Sequence, residues 1–386
     1  MRKDETGHMA EDDETGAVRE RTAPFRSETR FSDAVGIARV ICITGIVYVH
    51  AWTGIGSEQL LALAGSPQDI LRWVLMESLG KSAVPLLGLI SGYFVQASGR
   101  TRDWRNHYAT KARTIALPML IWNAIAILLV SGTASWFDLP APRYSGVEWL
   151  FQELTAFSRP PDIEVQMPFL RDLLVCMAFA PLLVRTRTRW LLLLGVALFA
   201  LCVSLIPQPV LLRPSILLFF VGGMLVQRSG LEYHAAGIGL PQAILPYLML
   251  LPFKIAFTMP QSGMMAAHPH AMAMLELIVR VTAALAFWRL AWELAQGRTG
   301  RIILRFEAYA FFMFCCHLIL IWLAGPLIGK LTGPMGSPLY PVYLILQPFM
   351  VLAASVGLAR LLLSLWPGAA LVLSGGRVRK RVAPGG

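Results

Sequence analysis

Charge is scarce in this chain: 15% of its 386 residues are Asp, Glu, Lys or Arg, against 56% that are hydrophobic. Cysteine is scarce too. The five present (Cys42, Cys176, Cys202, Cys315 and Cys316) all fall in apolar runs, which excludes a disulfide or zinc framework and leaves them as small buried hydrophobes. No glycine-rich phosphate loop, GxSxG elbow, DxxD metal cluster or CxxC pair occurs, so a hydrolase or an ATP-driven pump has no residues to work with. Segments of alternating polar and apolar residues are missing, which excludes a membrane barrel. No cationic stretch leads into a short apolar run with a cleavage site, so the N-terminus is not a signal peptide, and the first span is expected to act as an uncleaved insertion signal.

What is present is long apolar sequence, with a mean hydropathy of +0.58. Ten segments read as membrane spans: 34–53, 70–97, 112–132, 168–185, 189–207, 212–228, 240–258, 271–294, 304–326 and 339–366. The fourth, fifth and sixth are near the minimum length. Backbone groups in lipid must be satisfied within helices, so the expected fold is all-α, a polytopic transmembrane helical bundle of about ten spans. The basic stretches 99–113, 185–189, 227–234, 297–305 and 377–381 fall on alternate connections and place both termini in the cytoplasm. The net charge of +11 is therefore a topology signal, with no nucleic acid as partner. Three regions follow: a disordered cytoplasmic tail over 1–32, a membrane domain over 33–370, and a basic cytoplasmic tail over 371–386.

The most informative polar residues are Arg39 and His50 on the first span. Eleven positions apart, they share one helix face about 16 Å apart along the axis. Ionisable side chains inside a membrane usually face a protein interior or a water-filled cavity and handle substrates or protons. The plainer alternative has Arg39 reaching to the interface and His50 capping the helix. In the second span, Pro85 is expected to bend or break the helix, opening a cavity lined by Lys81 and Ser91, while Gly92 allows close helix approach. Arg171 and Asp172 enter the fourth span side by side and, pointing about 100° apart, are expected to find partners on different helices. His317 lies near the middle of an apolar helix. Glu276 and Arg280, four apart, pair with each other. His268 and His270 lie in an exposed loop and make a poor metal site.

These segments, in this order, resemble the acyltransferase 3 family of bacterial membrane acyltransferases. The resemblance is carried by Arg39 with His50, by Pro85 and Ser91-Gly92-Tyr93, by Lys111 and Arg113 leading to Pro118 and Trp122, by Phe169-Leu170-Arg171, and by His317. Pro168 stands where the family usually has Trp, and Leu87-Gly88 where bulky aromatics are common. The resemblance implies transfer of an acetyl or succinyl group from cytoplasmic acyl-CoA to a hydroxyl of an extracytoplasmic glycan: O-antigen, exopolysaccharide or periplasmic glucan. It implies a multi-pass protein of the bacterial inner membrane, with acyl-CoA as donor substrate and no permanently bound cofactor. His50 is expected as general base or acyl carrier and Arg171 or Lys81 as oxyanion stabiliser. Arg39, Ser91, Asp172, His317 and Arg113 are expected to bind substrate. Two readings without chemistry compete. A transporter of glycan or acyl intermediates lacks the inverted repeat of kinked segments it should show. An assembly subunit leaves the Arg39–His50 face unexplained.

Overall fold

The computed structural model describes residues 11–379 apart from Pro140. All regular structure among the described residues is helical. Ten principal helical segments run in chain order: α1 (Glu11–Ile46), α2 (Pro67–Ala97), α3 (Trp104–Phe137), α4 (Met167–Leu183), α5 (Thr188–Ser204), α6 (Pro214–Ser229), α7 (Leu240–Thr258), α8 (Pro269–Leu294), α9 (Glu307–Thr332) and α10 (Tyr340–Leu365).

Helix occupies each of the ten expected segments, but the expected ten spans do not all reach spanning length. Seven are long and apolar enough to cross a membrane: Thr29–His50 and the helices α2, α3, α7, α8, α9 and α10. Helices α4 and α5 have 17 residues and α6 has 16, at or below the edge of the spanning range. The chain bends by 89° after α6 into Leu231–Gly237; counted as one span, this broken pair makes eight. Chain geometry sets the stops: Leu205 and Gly230 close α5 and α6 with left-handed backbone.

Helix α1 begins at Glu11, inside the segment expected as a disordered tail. Arg30 donates to the carbonyl of Trp292 at 3.2 and 3.3 Å, and the ring of Phe31 packs against Tyr93 and Trp288. These contacts fix the last part of that segment to the bundle. Residues 1–10 and 380–386, the outer parts of both expected tails, lie outside the described residues.

Pro85 falls where the helix is irregular, as expected. A π turn (Met76–Gly80) and a 3-10 turn (Lys81–Ala83) precede it, and α-helix resumes at Val84. Proline then sits in a first turn, where its missing N–H leaves no bond broken. Below this point α2 and α6 meet backbone to backbone. A Cβ on Gly92 would collide with the Phe220 carbonyl, and one on Gly223 with the Leu89 carbonyl. Small residues are what allow membrane helices to pack so closely.

The last turn of the first span is a 3-10 helix, Val47–His50. This stretches the Arg39–His50 offset to about 18 Å. Beyond it, the ring of Trp52 lies against Gly325 and Gly329 of α9, and Tyr340 donates to the Trp52 carbonyl at 3.2 Å. His50 is thus held from both sides in sequence.

Candidate active site

The site has two halves along one axis. At the Arg39 end is a cavity of about 430 Å³, walled by Ile43, Leu87, Ile90, Phe169, Leu173 and Phe314 and floored by Arg39, Ser91, Glu307 and Arg377. Arg39 pairs with Glu307 at 3.3 Å, and both side chains stay more than a third exposed to the cavity. Such a pair contributes little to stability, which leaves Arg39 available to a ligand.

Arg377 arrives from the C-terminal segment. Trp122 of α3 donates its indole N–H to the carbonyl of Leu373 at 3.0 Å and stacks edge-on against Phe312. Gly375 and Gly376 then turn the chain with positive φ, and a Cβ on Gly375 would strike the Thr114 carbonyl. The turn lays the Arg377 guanidinium over the Phe311 ring at 4.1 Å. Burial, and then the charge of Arg39, lower the pKa of Arg377 to about 10. Two guanidinium groups against one carboxylate leave the cavity net cationic.

Phe314, in the wall of this cavity, is one helical turn from His317. The rings of His317 and His50 lie 5.5 Å apart. His317 is buried and holds its Nδ1 2.8 Å from the carbonyl of Phe314. A carbonyl oxygen only accepts, so the proton of the neutral ring sits on Nδ1 and Nε2 carries a bare lone pair. That Nε2 is buried and has no hydrogen-bond partner. Arg39 with His50 on the first span, and Glu307 with His317 on α9, therefore set the cationic cavity and the paired imidazoles in the same order along both helices.

Beyond the histidines lies a charge network. Asp172, fully buried at the start of α4, accepts from the backbone amides of Leu212 and Arg213 at 3.1 and 2.7 Å. Arg171 pairs with Asp172 itself at 2.8 Å and donates to the carbonyl of Phe157. The expectation that these two neighbours seek separate helices is corrected. Two loops with unsatisfied backbone groups converge on the start of α4, and the pair satisfies them jointly. Lys81 pairs with Glu77 at 2.8 Å and lies over Trp73. It does not line the 430 Å³ cavity floored by Ser91, whose hydroxyl donates to its own helix at Leu87. Buried Lys254 joins Glu77 at 3.7 Å to Glu276 at 3.1 Å, and Glu276 pairs with Arg280 as expected.

Arg113 is exposed on a π turn and does not line the cavity. His268 and His270 are exposed, and four of the five cysteines are buried, as expected. Several residues of the site were not singled out from sequence. Arg377 sits in a basic run that reads as a topology signal. Arg213, before Pro214, is close enough for its charge to act on His50 and for those of Asp172 and Glu276 to act on it, and among the described residues its guanidinium makes no hydrogen bond or ion pair. Glu307 opens α9 two residues after the basic stretch 297–305. A second, larger groove of about 620 Å³, between Phe31, Leu89, Phe219 and Trp288, is almost wholly apolar and suits lipid.

The sequence profile of an acyltransferase domain matches residues 33–367, from within α1 to past the end of α10. The chain belongs to the acyltransferase 3 family. It is also similar to the succinoglycan biosynthesis protein ExoH of Rhizobium meliloti (strain 1021), at 27% identity over 377 residues, covering 92% of this chain and 95% of that protein. No solved structure matches it. Family membership and the apolar helices make the chain a multi-pass membrane acyltransferase. The profile begins just before Arg39 and ends before Arg377, so one wall of the cationic floor comes from outside the matched region.

Proposed function

We propose that the protein transfers an acyl group from cytoplasmic acyl-CoA to a hydroxyl of an extracytoplasmic glycan, with both termini in the cytoplasm. One observation carries this reading. A net-cationic cavity with apolar walls reaches Phe314, one helical turn along the same helix from His317, which faces His50. A CoA donor has matching chemistry, with phosphates at one end and a thioester at the other. Arg39 and Arg377 would hold phosphate through charge-assisted hydrogen bonds. The pantetheine arm would run past Phe169 and Phe314. The thioester would then lie beside His50 and His317.

There His50 acts as general base. It takes the proton of the acceptor hydroxyl as that oxygen attacks the thioester carbonyl. The C–S bond breaks, and the proton passes to the departing thiolate, giving the ester and free CoA. His317 Nε2 supplies a fixed hydrogen-bond acceptor next to the reacting hydroxyl. Arg213 is better placed than Lys81 or Arg171 to stabilise the oxyanion, because those two are committed to carboxylates. The glycan acceptor is supported by the similarity to a protein named for succinoglycan biosynthesis. Mass spectrometry of surface and periplasmic glycans tests the reading in cells carrying the wild-type gene, no gene, or His50→Ala. An ester-labile mass restored only by wild type supports it, and identical glycans in all three overturn it.

A further inference from the structure

The segment just before α4, together with α9 and α10, carries a set of buried polar atoms that no hydrogen bond among the described residues satisfies. Glu164, Gln166, Gln347 and His317 are each 3% exposed or less. Oε1 of Glu164, Oε1 of Gln166, both amide atoms of Gln347 and Nε2 of His317 have no hydrogen-bond partner. Gln166 donates to the other carboxyl oxygen of Glu164, which fixes both side chains.

Contacts bring these residues to one place. Val165, between Glu164 and Gln166, packs against the cluster formed by Val47, Met313, Leu318, Ile321 and Val351. Those side chains come from the His50 end of the first span, from α9 beside His317, and from α10 one turn from Gln347. Trp322 donates to the carbonyl of Ile163 at 3.4 Å, and Tyr48 donates to the carbonyl of Ile345 at 3.0 Å. The charge of Glu164 acts on both Cys315 and Cys316, the neighbours of His317. Each unsatisfied buried polar atom is costly, and most folded proteins keep few of them. Four such atoms beside the imidazole pair, and a fifth on His317 itself, are partners a hydroxyl-rich ligand could satisfy.

We propose that Glu164, Gln166 and Gln347 form the subsite that binds the acceptor sugar, their free oxygens accepting from its hydroxyls and the Gln347 amide donating to a ring or hydroxyl oxygen. This rests on the acyltransferase reading above and names the residues that hold its second substrate. These are binding residues; the bond-making step stays with the histidines.

The test is Gln347→Leu, with Glu164→Gln as a second variant, in the full-length protein in proteoliposomes. Acyl transfer is followed against acceptor concentration and against acyl-CoA concentration, beside thermal unfolding. Leucine fills the same space without polar atoms. If the amide is merely an orphan, Gln347→Leu raises the melting temperature and leaves transfer unchanged, which overturns the proposal. The subsite instead predicts a melting temperature held or raised, an acceptor KM raised about tenfold, and an unaltered acyl-CoA KM. Glu164→Gln should move the acceptor KM in the same direction; a rise in the acyl-CoA KM alone contradicts the assignment. Wild type inactive with every acyl-CoA and glycan would fail the acyltransferase reading itself, whereas active wild type with indifferent variants fails only the subsite.

Discussion

The two ends of the bundle treat charge in opposite ways. At the Arg39 end, two guanidinium groups face one carboxylate across an open cavity, and the one ion pair there is half exposed. At the His50 end, Glu77, Lys254, Glu276, Arg280, Arg171 and Asp172 are locked into mutual pairs and backbone bonds. The first arrangement is built to receive an anion. The second holds helices α2, α7, α8 and the start of α4 in register, while Arg213, near the histidines, makes no ion pair among the described residues. Charge left uncompensated marks where ligands go; charge fully compensated marks where the fold is held.

The comparison can be broken most severely at the histidine pair. His50→Ala should lower acyl transfer at least about 100-fold, with membrane insertion and thermal unfolding unchanged. Transfer at near-normal rate would remove His50 from the chemistry. The next largest effect falls on the compensated end. Lys254→Met removes the cation shared by Glu77 and Glu276, which keep Lys81 and Arg280, and should cost about 1–3 kcal/mol of stability, read as a drop in melting temperature in detergent. An unchanged melting temperature would show that the network is not structural.

At the open end the expected pattern reverses. Arg377→Gln should raise the acyl-CoA concentration needed for half-maximal rate by about 10- to 100-fold and hardly move the melting temperature. Loss of stability without a change in donor dependence would make Arg377 a packing residue. Gly92→Leu should weaken the α2–α6 contact and lower stability by about 1–3 kcal/mol, because its side chain meets the Phe220 backbone.

The smallest effect concerns Glu164, outside the spans. Burial raises its pKa well above the ordinary value of 4.5, the bond from Gln166 opposes this, and the charge of Glu153 adds to it. The unfolded chain therefore releases this proton at lower pH than the folded one, and stability falls as pH rises from about 4.5 through the raised value. Glu164→Gln should flatten that part of a melting-temperature profile; a profile parallel to wild type contradicts it.

Much of this arrangement follows from local pattern. Arg39, Pro85, Gly92, Trp122, Asp172 and His317 stand out as polar or breaking residues in apolar sequence, and each occupies a defined place in the structure. What pattern could not supply were pairings across long separations. Arg377 reads as one of several loop cations until Trp122 and the Gly375-Gly376 turn carry it into the cavity. Glu164 and Gln347 look like ordinary loop and helix residues, since nothing in one sequence marks a side chain as unpaired. Span number is a different case. Helices α4, α5 and α6 are apolar in composition but are stopped at 16 or 17 residues by turn residues and loops, and composition does not record length.

The central claim is that donor and acceptor meet from opposite sides at the histidine pair. Proteoliposomes in which the protein has a single determined orientation test it, with labelled acyl-CoA supplied on one side and glycan on the other. The account predicts label on the glycan only when acyl-CoA is on the side of Arg39 and Arg377, and none with His50→Ala. Equal labelling with acyl-CoA on the glycan side would contradict it.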